Sequence, residues 1–467
     1  EISVSMLRKT SRLPVMLKKM PASDTPLSDL HRFWEQTGNF YSQGQGSGNL
    51  VDPFMALSLI PASSGIFRDM TQIRFDYPEW IAENCTGCGN CYTACPDSAI
   101  PGLVNSVTEV FNTVVQRIEA QGNPTIHLRR ALRTVEKKLR ADLLTHGDHA
   151  RVNELLEHAI NETLAESELD EPGKRSLAEE LERFETAFAG FKLAATKPFF
   201  YTKEKREKGS GGLFSVTLNP YTCKGCMECV DVCDDDALRP VTQTHDCIDS
   251  MRRDWDFWLD LPTTSPNYIR IDDLDEKIGA LETLLLDKSN YGSMVCGDGA
   301  CIGCGEKTVI HTFTATVTAL MQPRVKKHLA HIENLIQQLE QHIRNKLVAH
   351  MDLGSSDTIS KIIDEHKDID LTLSRLSAGL DASHAAQGDT AAEPIDSEWL
   401  RWTTQQVEKL KHLKQQYTSG ITHQGRAHLG MINATGCTSV WGSTFPYAPY
   451  PFPWSSNLFQ DSPSVAM

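Results

Sequence analysis

No stretch of this 467-residue chain approaches the roughly 18 consecutive apolar residues that a membrane-crossing helix needs, which excludes a transmembrane protein. Basic charge is scarce as well: 46 Lys and Arg stand against 61 Asp and Glu, giving a net charge of -15 and a pI near 5.5. A chain of that balance is a poor general binder of nucleic acid or anionic lipid, so neither nucleic acid nor membrane is expected as a partner. No basic-then-apolar signal segment opens the chain, and its first residue is Glu1. These ends read as an internal piece of a longer protein, whose remaining domains are then expected partners. Flavin and pterin motifs are missing too. What is left is ordinary for a globular chain of about three domains: 40% hydrophobic and 23% charged residues, with a mean hydropathy of -0.33.

Cysteine is the exception. Eleven of 13 fall into tight groups. Cys85, Cys88, Cys91 and Cys95 form C-x2-C-x2-C-x3-C before Pro96, and Cys223, Cys226, Cys229 and Cys233 repeat the spacing before Asp234. Cys301 and Cys304 make a further C-x2-C, Cys437 ends an Asn-Ala-Thr-Gly-Cys run, and Cys247 and Cys296 are left over. A disulfide framework suits small secreted domains, which this is not. Structural zinc wants four ligands per site and no third cysteine at this spacing. The spacing instead wraps three thiolates round one cubane [4Fe–4S] cluster and sends the fourth to another. Two copies complete each other: Cys85, Cys88, Cys91 and Cys233 are expected on the first cluster, Cys223, Cys226, Cys229 and Cys95 on the second. Gly87, Gly89 and Gly225 let the backbone bend and turn N–H groups towards sulfur, where they tune the potential. Electron transfer is the expected role. Thiolate-held clusters imply a reducing compartment, so the expected location is cytoplasmic.

Cys95 and Cys223 are 128 positions apart, and the gap reads as three or four helices. Leu103, Val107, Val110, Phe111, Val114, Val115 and Ile118 keep an amphipathic period, as do Leu128, Ala131, Leu132, Val135, Leu139 and Leu143. Glu171-Pro172-Gly173 is expected to break the pattern before Leu177, Leu181, Phe184, Phe188 and Phe191, and Lys203 to Gly212 to be an exposed connector. Between Cys304 and Cys437, Val325, Leu329, Ile332, Ile336, Leu339, Ile343 and Leu347 alternate by four and three, a coiled-coil seam. Ile359, Ile362, Ile363, Ile369, Leu373, Leu376 and Leu380 suggest a second helix, Ala382 to Pro394 a loop, and Trp399, Trp402, Val407, Leu410, Leu413 and Tyr417 a third helix. His328, His331, His342 and His350 read as solvated helix positions, not metal ligands.

Around the third cysteine group the chain reads Gly299-Ala300-Cys301-Ile302-Gly303-Cys304-Gly305-Glu306, and later Asn433-Ala434-Thr435-Gly436-Cys437. With the two-cluster motifs ahead of it, this resembles the pyruvate:ferredoxin (flavodoxin) oxidoreductases, the thiamine-diphosphate-dependent 2-oxoacid:ferredoxin oxidoreductase family. The likeness covers about residues 50–102, 197–322 and 419–467 and includes the run Trp454 to Asp461. It implies that Cys301, Cys304 and Cys437 hold a third, proximal [4Fe–4S] cluster and that Glu306 and Cys437 line thiamine diphosphate. It also implies Mg2+ with ligands outside this chain, conversion of a 2-oxoacid such as pyruvate and coenzyme A to an acyl-CoA, electron delivery to ferredoxin or flavodoxin, and a homodimer. No catalytic residue is assigned, and the fragment alone is expected to be inactive.

The chain departs from that family in several places. The family's fourth proximal ligand and its magnesium-binding G-D-G lie beyond Met467; Gly297-Asp298-Gly299 lacks the later Asn and is not that motif. Cys296 is off the usual spacing and, like Cys247, reads as a small buried apolar residue. Both helical insertions exceed the family's compact form, a long-insertion variant.

The expected fold is α+β and α/β. A two-cluster ferredoxin-like domain (76–102 and 197–245) follows a linker (1–75) and is interrupted by a helical insertion (103–196). The start of a thiamine-diphosphate-binding α/β domain (246–322 and 419–467) is interrupted by a coiled-coil-like insertion (323–418). The run Phe445 to Trp454 is expected to form a rigid wall near the cofactor, with a polyproline ligand for a partner as the alternative. A non-catalytic polyferredoxin-like electron carrier, or an iron–sulfur subunit of another dehydrogenase, is the competing function. Glu306 and Asn433 to Cys437 separate the readings, because a pure carrier needs neither.

Overall fold

The computed structural model describes residues 13–20, 29–49, 53–56, 60–147, 149–269, 279–291, 300–349, 397–420, 425–427, 429–433, 436–442 and 444–456. The chain is α+β, with helices and three two-stranded sheets among the described residues. It divides into two units, residues 1–320 with 428–467, and residues 321–427. None of the described helices is long and apolar enough to cross a membrane.

Two antiparallel pairs frame the cysteine motifs. Strand β1 (Asp76–Trp80) pairs with β4 (Leu238–Thr242), from Asp76 opposite Thr242 to Trp80 opposite Leu238. Strand β2 (Gly102–Ser106) pairs with β3 (Gly212–Val216), from Gly102 opposite Val216 to Ser106 opposite Gly212. In each pair the strand next to one motif lies beside the strand next to the other. Pairing therefore closes a long loop and brings the two motifs into one body. Leu103 belongs to β2 and not to the helix its spacing suggested, because a buried partner strand outweighs a three-residue step.

Four helices fill the space between the motifs: α1 (Val107–Ala120), α2 (Leu128–His146), α3 (Val152–Ala165) and α4 (Glu171–Phe188). Ser106 and Glu109 form a reciprocal capping box that starts α1 as soon as β2 ends. Glu171-Pro172-Gly173 is not a break but the first turn of α4: Asp170 accepts from Gly173 N, and an early proline lacks only an N–H that would be unsatisfied anyway. Phe191 falls beyond the helix end, after Ala189 turns left-handed. These helices share one apolar core with Trp255, Phe257 and Trp258 of α5 (His245–Asp260).

The segment Lys203 to Gly212 is exposed over residues 205–209, as expected, but is anchored at its two ends. Its Glu204 is buried, bonded to Arg140 at 2.9 Å and accepting from Gly209 N and Gly211 N at 2.8 Å. One of two glutamates in a Lys- and Gly-rich run carries no periodic signal, so only the fold reveals that partner.

Helix α6 (Gly305–Ala349) opens in the first unit and continues in the second. In the second unit, Ile332, Ile336 and Ile343 of the expected seam are buried with Leu400 and Val407 of α7 (Ser397–Thr418). Trp402 is exposed, whereas Leu400 faces the seam. The expected second helix at Ile359, Ile362, Ile363, Ile369, Leu373, Leu376 and Leu380, the loop after Ala382 and His350 lie outside the described residues. Back in the first unit, β5 (Met431–Asn433) runs parallel to β6 (Trp454–Ser456), and α8 (Cys437–Gly442) lies between them in sequence.

Residues Pro446 to Tyr450 and Phe452 of the Pro-aromatic run are buried, whereas Pro451 and Pro453 are exposed. Ser64 Oγ donates to Pro446 O at 2.8 Å, Gly65 N to Ala448 O at 2.8 Å and Ser63 N to Tyr450 O at 2.7 Å. Tyr447 joins the aromatic cluster of Phe33, Trp34, Phe54 and Phe67. The stretch Pro446 to Tyr450 is therefore packed within the chain. The same contacts show that residues 29–67 include a packed apolar cluster.

Candidate metal centre

Each motif is wound through two left-handed residues. Gly87 and Gly89 have φ of 79° and 85°; Gly225 and Met227, in the same places of the second motif, have φ of 70° and 65°. Glycine adopts this region freely, whereas the side chain of Met227 costs roughly 1–2 kcal/mol there. The turn is thus required by the loop even where the residue resists it. Its effect is to aim backbone N–H groups at sulfur: Gly87 towards Cys85, Gly225 towards Cys223, Glu228 towards Cys226, and Ala99 N to Cys95 Sγ at 3.2 Å.

The eight thiols fall into two neighbourhoods. Cys91 senses the charges of Cys85, Cys88 and Cys233, and Cys85 those of Cys88 and Cys233. Cys229 senses Cys95 and Cys223 first, then Cys91 across from the other set, then Cys226, and Cys95 senses Cys226. Each neighbourhood takes three thiols from one motif and the fourth from the other. The second lines a single cavity, shared with Pro78, Ile100 and Leu218.

Burial pushes the thiols of Cys85 and Cys95 up to about 12 and that of Cys223 to about 11, and drives Cys91 and Cys229 well above the ordinary thiol range. Such groups are neutral without a metal, so loading one must release protons. Among the described residues no three His, Cys, Asp or Glu side chains form a group able to hold a metal ion. A single zinc would need its ligands about 2.3 Å from one point. Three thiols of a C-x2-C-x2-C-x3-C run with one from the other motif are the donor set that suits a [4Fe–4S] cluster.

The third group is laid out differently. Cys301 is exposed and Cys304 half-buried at the entry to α6, while Cys437 opens α8 and is exposed. Glu306 accepts a hydrogen bond from the hydroxyl of Thr438, the residue after Cys437. Two sequence elements 132 positions apart thereby meet through their adjoining residues. With its amide oriented to satisfy both neighbours, Asn433 donates to Ser455 O at 2.9 Å and accepts from Ser439 N at 3.3 Å, tying β5, β6 and α8 together. Cys296 and Gly297-Asp298-Gly299 lie outside the described residues.

Several residues at this centre escaped the sequence reading. Arg74 is buried and donates to Pro220 O at 2.6 Å and Cys223 O at 2.9 Å. Asp97, Lys224, Lys307 and His311 are buried as well. Asp97, Lys224 and Lys307 lie within three residues of a cysteine and His311 within seven, a signal that singles out none of them. Cys247, read as a buried apolar residue, is instead half-exposed and accepts from Thr244 Oγ1 at 3.1 Å.

Comparison with known proteins bears on the same segment. Residues 77–100 match the family described as 4Fe-4S binding domain. The chain is 29% identical over 115 residues to a putative pyruvate-flavodoxin oxidoreductase of Synechocystis, covering 23% of this chain and 9% of that protein. It is also 29% identical over 115 residues to the mitochondrial pyruvate dehydrogenase [NADP(+)] of Euglena gracilis, covering 25% of this chain and 6% of that protein. The matches thus span under a tenth of either relative. An iron–sulfur binding segment and two distant relatives so named are consistent with the pyruvate:ferredoxin oxidoreductase family.

Proposed function

We propose that this chain is the electron-transfer and cofactor-proximal part of a thiamine-diphosphate-dependent 2-oxoacid oxidoreductase, with pyruvate as the first candidate substrate. Cys85, Cys88, Cys91 and Cys233 hold one [4Fe–4S] cluster and Cys223, Cys226, Cys229 and Cys95 another, in a ferredoxin-like domain interrupted by α1 to α4. Cys301, Cys304 and Cys437 contribute to a third, and Glu306 with Cys437 lines the thiamine diphosphate site. Magnesium ligands, the fourth proximal ligand and the coenzyme A site come from the rest of the protein. Ferredoxin or flavodoxin is the acceptor, and the whole enzyme is a cytoplasmic homodimer.

The observation that carries this reading is the contact between Glu306 and Thr438. It unites the Gly-Ala-Cys and Asn-Ala-Thr-Gly-Cys elements that an electron carrier does not need. Bound thiamine diphosphate would supply the decarboxylation chemistry, and the clusters a one-electron path. The chain's own part is to hold cluster sulfur with N–H donors, to exclude water by burial, and to place Glu306 beside Cys437. The test is made on the full-length protein, loaded with iron and sulfide without oxygen. Glu306→Ala should leave iron content intact but weaken thiamine diphosphate binding by titration, whereas Cys437→Ala should disturb the proximal cluster. Unchanged cofactor affinity and turnover in Glu306→Ala would favour the electron-carrier reading instead.

A further inference from the structure

Lys307 sits in the first turn of α6, three residues after Cys304, with 0% of its surface exposed. Burying an ammonium group is costly unless it is paired and hydrogen-bonded. On one side Lys307 donates to the carboxylate of Asp97, two residues after Cys95. Asp97 is also buried and lies 3.7 Å from Lys224, which follows Cys223. On the other side the Lys307 ammonium is 5.9 Å from the ring centroid of Trp441, a buried residue of α8 four positions after Cys437.

The next residues of α6 grip the same segment. Thr308 Oγ1 donates to Ala94 O at 3.2 Å, and the buried His311 ring meets Cys95 O at 3.3 Å and Ser98 Oγ at 3.2 Å. Among the described residues the buried lysines and arginines are Arg74, Lys224 and Lys307. All three adjoin the second set of thiols: Arg74 through the Cys223 carbonyl, Lys224 through the chain, and Lys307 through Asp97. None of them adjoins Cys85, Cys88, Cys91 or Cys233 in this way.

We propose that Lys307 is a positioning residue that raises the reduction potential of the cluster held by Cys95, Cys223, Cys226 and Cys229, and at the same time clamps the Cys304–Glu306 turn to that site. The inference rests on the reading of the two thiol sets as [4Fe–4S] sites. One-electron reduction of such a cluster adds one negative charge. A cation fixed nearby at low dielectric stabilises the reduced form. Two buried ammonium groups, Lys224 and Lys307, meet one buried carboxylate, Asp97, and the buried Arg74 guanidinium lies on the Cys223 carbonyl, so the local field favours the electron at this set over the other.

The full chain, loaded with ferrous iron and sulfide without oxygen, is titrated with dithionite and followed by electron paramagnetic resonance. Cys233→Ala assigns the signals, since it removes the other cluster. Lys307→Met should lower the one-electron equilibrium constant of the Cys95 cluster about tenfold, a 59 mV fall for a one-electron couple, and leave the other cluster in place. Lys307→Arg, which keeps the charge, should largely restore it. Asp97→Asn should move the same cluster the opposite way, a sign that simple loosening of the fold does not produce. Unmoved potentials in Lys307→Met, equal shifts of both clusters, or an arginine variant as low as the methionine one would overturn the proposal. Should Lys307→Met fail to hold iron, Asp97→Asn decides alone: an upward shift supports the idea and no shift sinks it. Zinc in place of iron in the unmutated chain would instead overturn the cluster reading, and metal analysis shows that before any potential is measured.

Discussion

Burial and hydrogen bonding pull thiols in opposite directions at different places in this chain. At Cys85 and Cys95 desolvation wins over the N–H donors and pushes the thiol up to about 12. At Cys247 the order reverses: hydrogen bonds from Thr244 and then Tyr77 outweigh a slight burial, and the thiol falls below its usual value of 9.0. A depressed thiol pKa means a larger thiolate fraction at neutral pH and faster alkylation. In metal-loaded protein, with the labelled peptide identified by mass, Cys247 should therefore react with iodoacetamide along a pH profile whose midpoint lies below 9.0. Thr244→Val and Tyr77→Phe should each move that midpoint up; a profile that neither variant shifts would refute the assignment. The interleaving of the motifs is testable at the same scale. Cys233→Ala should abolish the cluster of Cys85, Cys88 and Cys91 and spare its own motif's partner cluster, with about four iron atoms lost of eight. Loss of the Cys223 cluster instead would mean that each motif closes on itself.

Elements in this chain start where polar side chains meet orphan N–H groups. Helix α2 has no side-chain cap at its own N-cap residue, His127. The carboxylate of Glu180, from α4, takes that role: it accepts from Ile126 N at 3.2 Å, His127 N at 2.9 Å and Leu128 N at 2.7 Å. Glu180 is 2% exposed, so removing it strands those donors away from water. Glu180→Ala should destabilise the chain by about 2–3 kcal/mol, near the cost of a buried donor left unpaired together with a lost charge-assisted bond. Glu180→Gln, which keeps an acceptor oxygen, should recover part of this in thermal melts followed by helical signal. Equal stability of the alanine variant and the unmutated chain would show that water replaces the carboxylate. The apolar period made α2 and α4 legible in the sequence. Their mutual cap was not, because it joins residues more than 50 positions apart.

At the scale of the molecule, residues 321–427 form a unit of their own and contain no cysteine. Replacing residues 325–417 by a short linker should leave the iron content of the two-cluster region unchanged, with about eight iron atoms still bound. A drop in iron would show that the part of α6 beyond residue 324, or α7, supports the cluster sites after all.

What the sequence alone determined is whatever depends on local spacing: the two cysteine motifs, the helical periods, and the Gly-Ala-Cys and Asn-Ala-Thr-Gly-Cys elements. Three- and four-residue steps report which face of a helix is apolar, and a cysteine run reports its own loop geometry. Tertiary structure decided what depends on partners distant in the chain. It placed Leu103 in a strand because Ser215 lies opposite it, buried Glu204 because Arg140 meets it, and enclosed Pro446 to Tyr450 of the Pro-aromatic run against Ser63 to Phe67. It also gathered Arg74, Asp97, Lys224 and Lys307 around the second thiol set. Charge in a sequence reads as solvated surface by default, since a lysine or aspartate is rarely buried without a partner. Only the folded chain shows that these four have theirs.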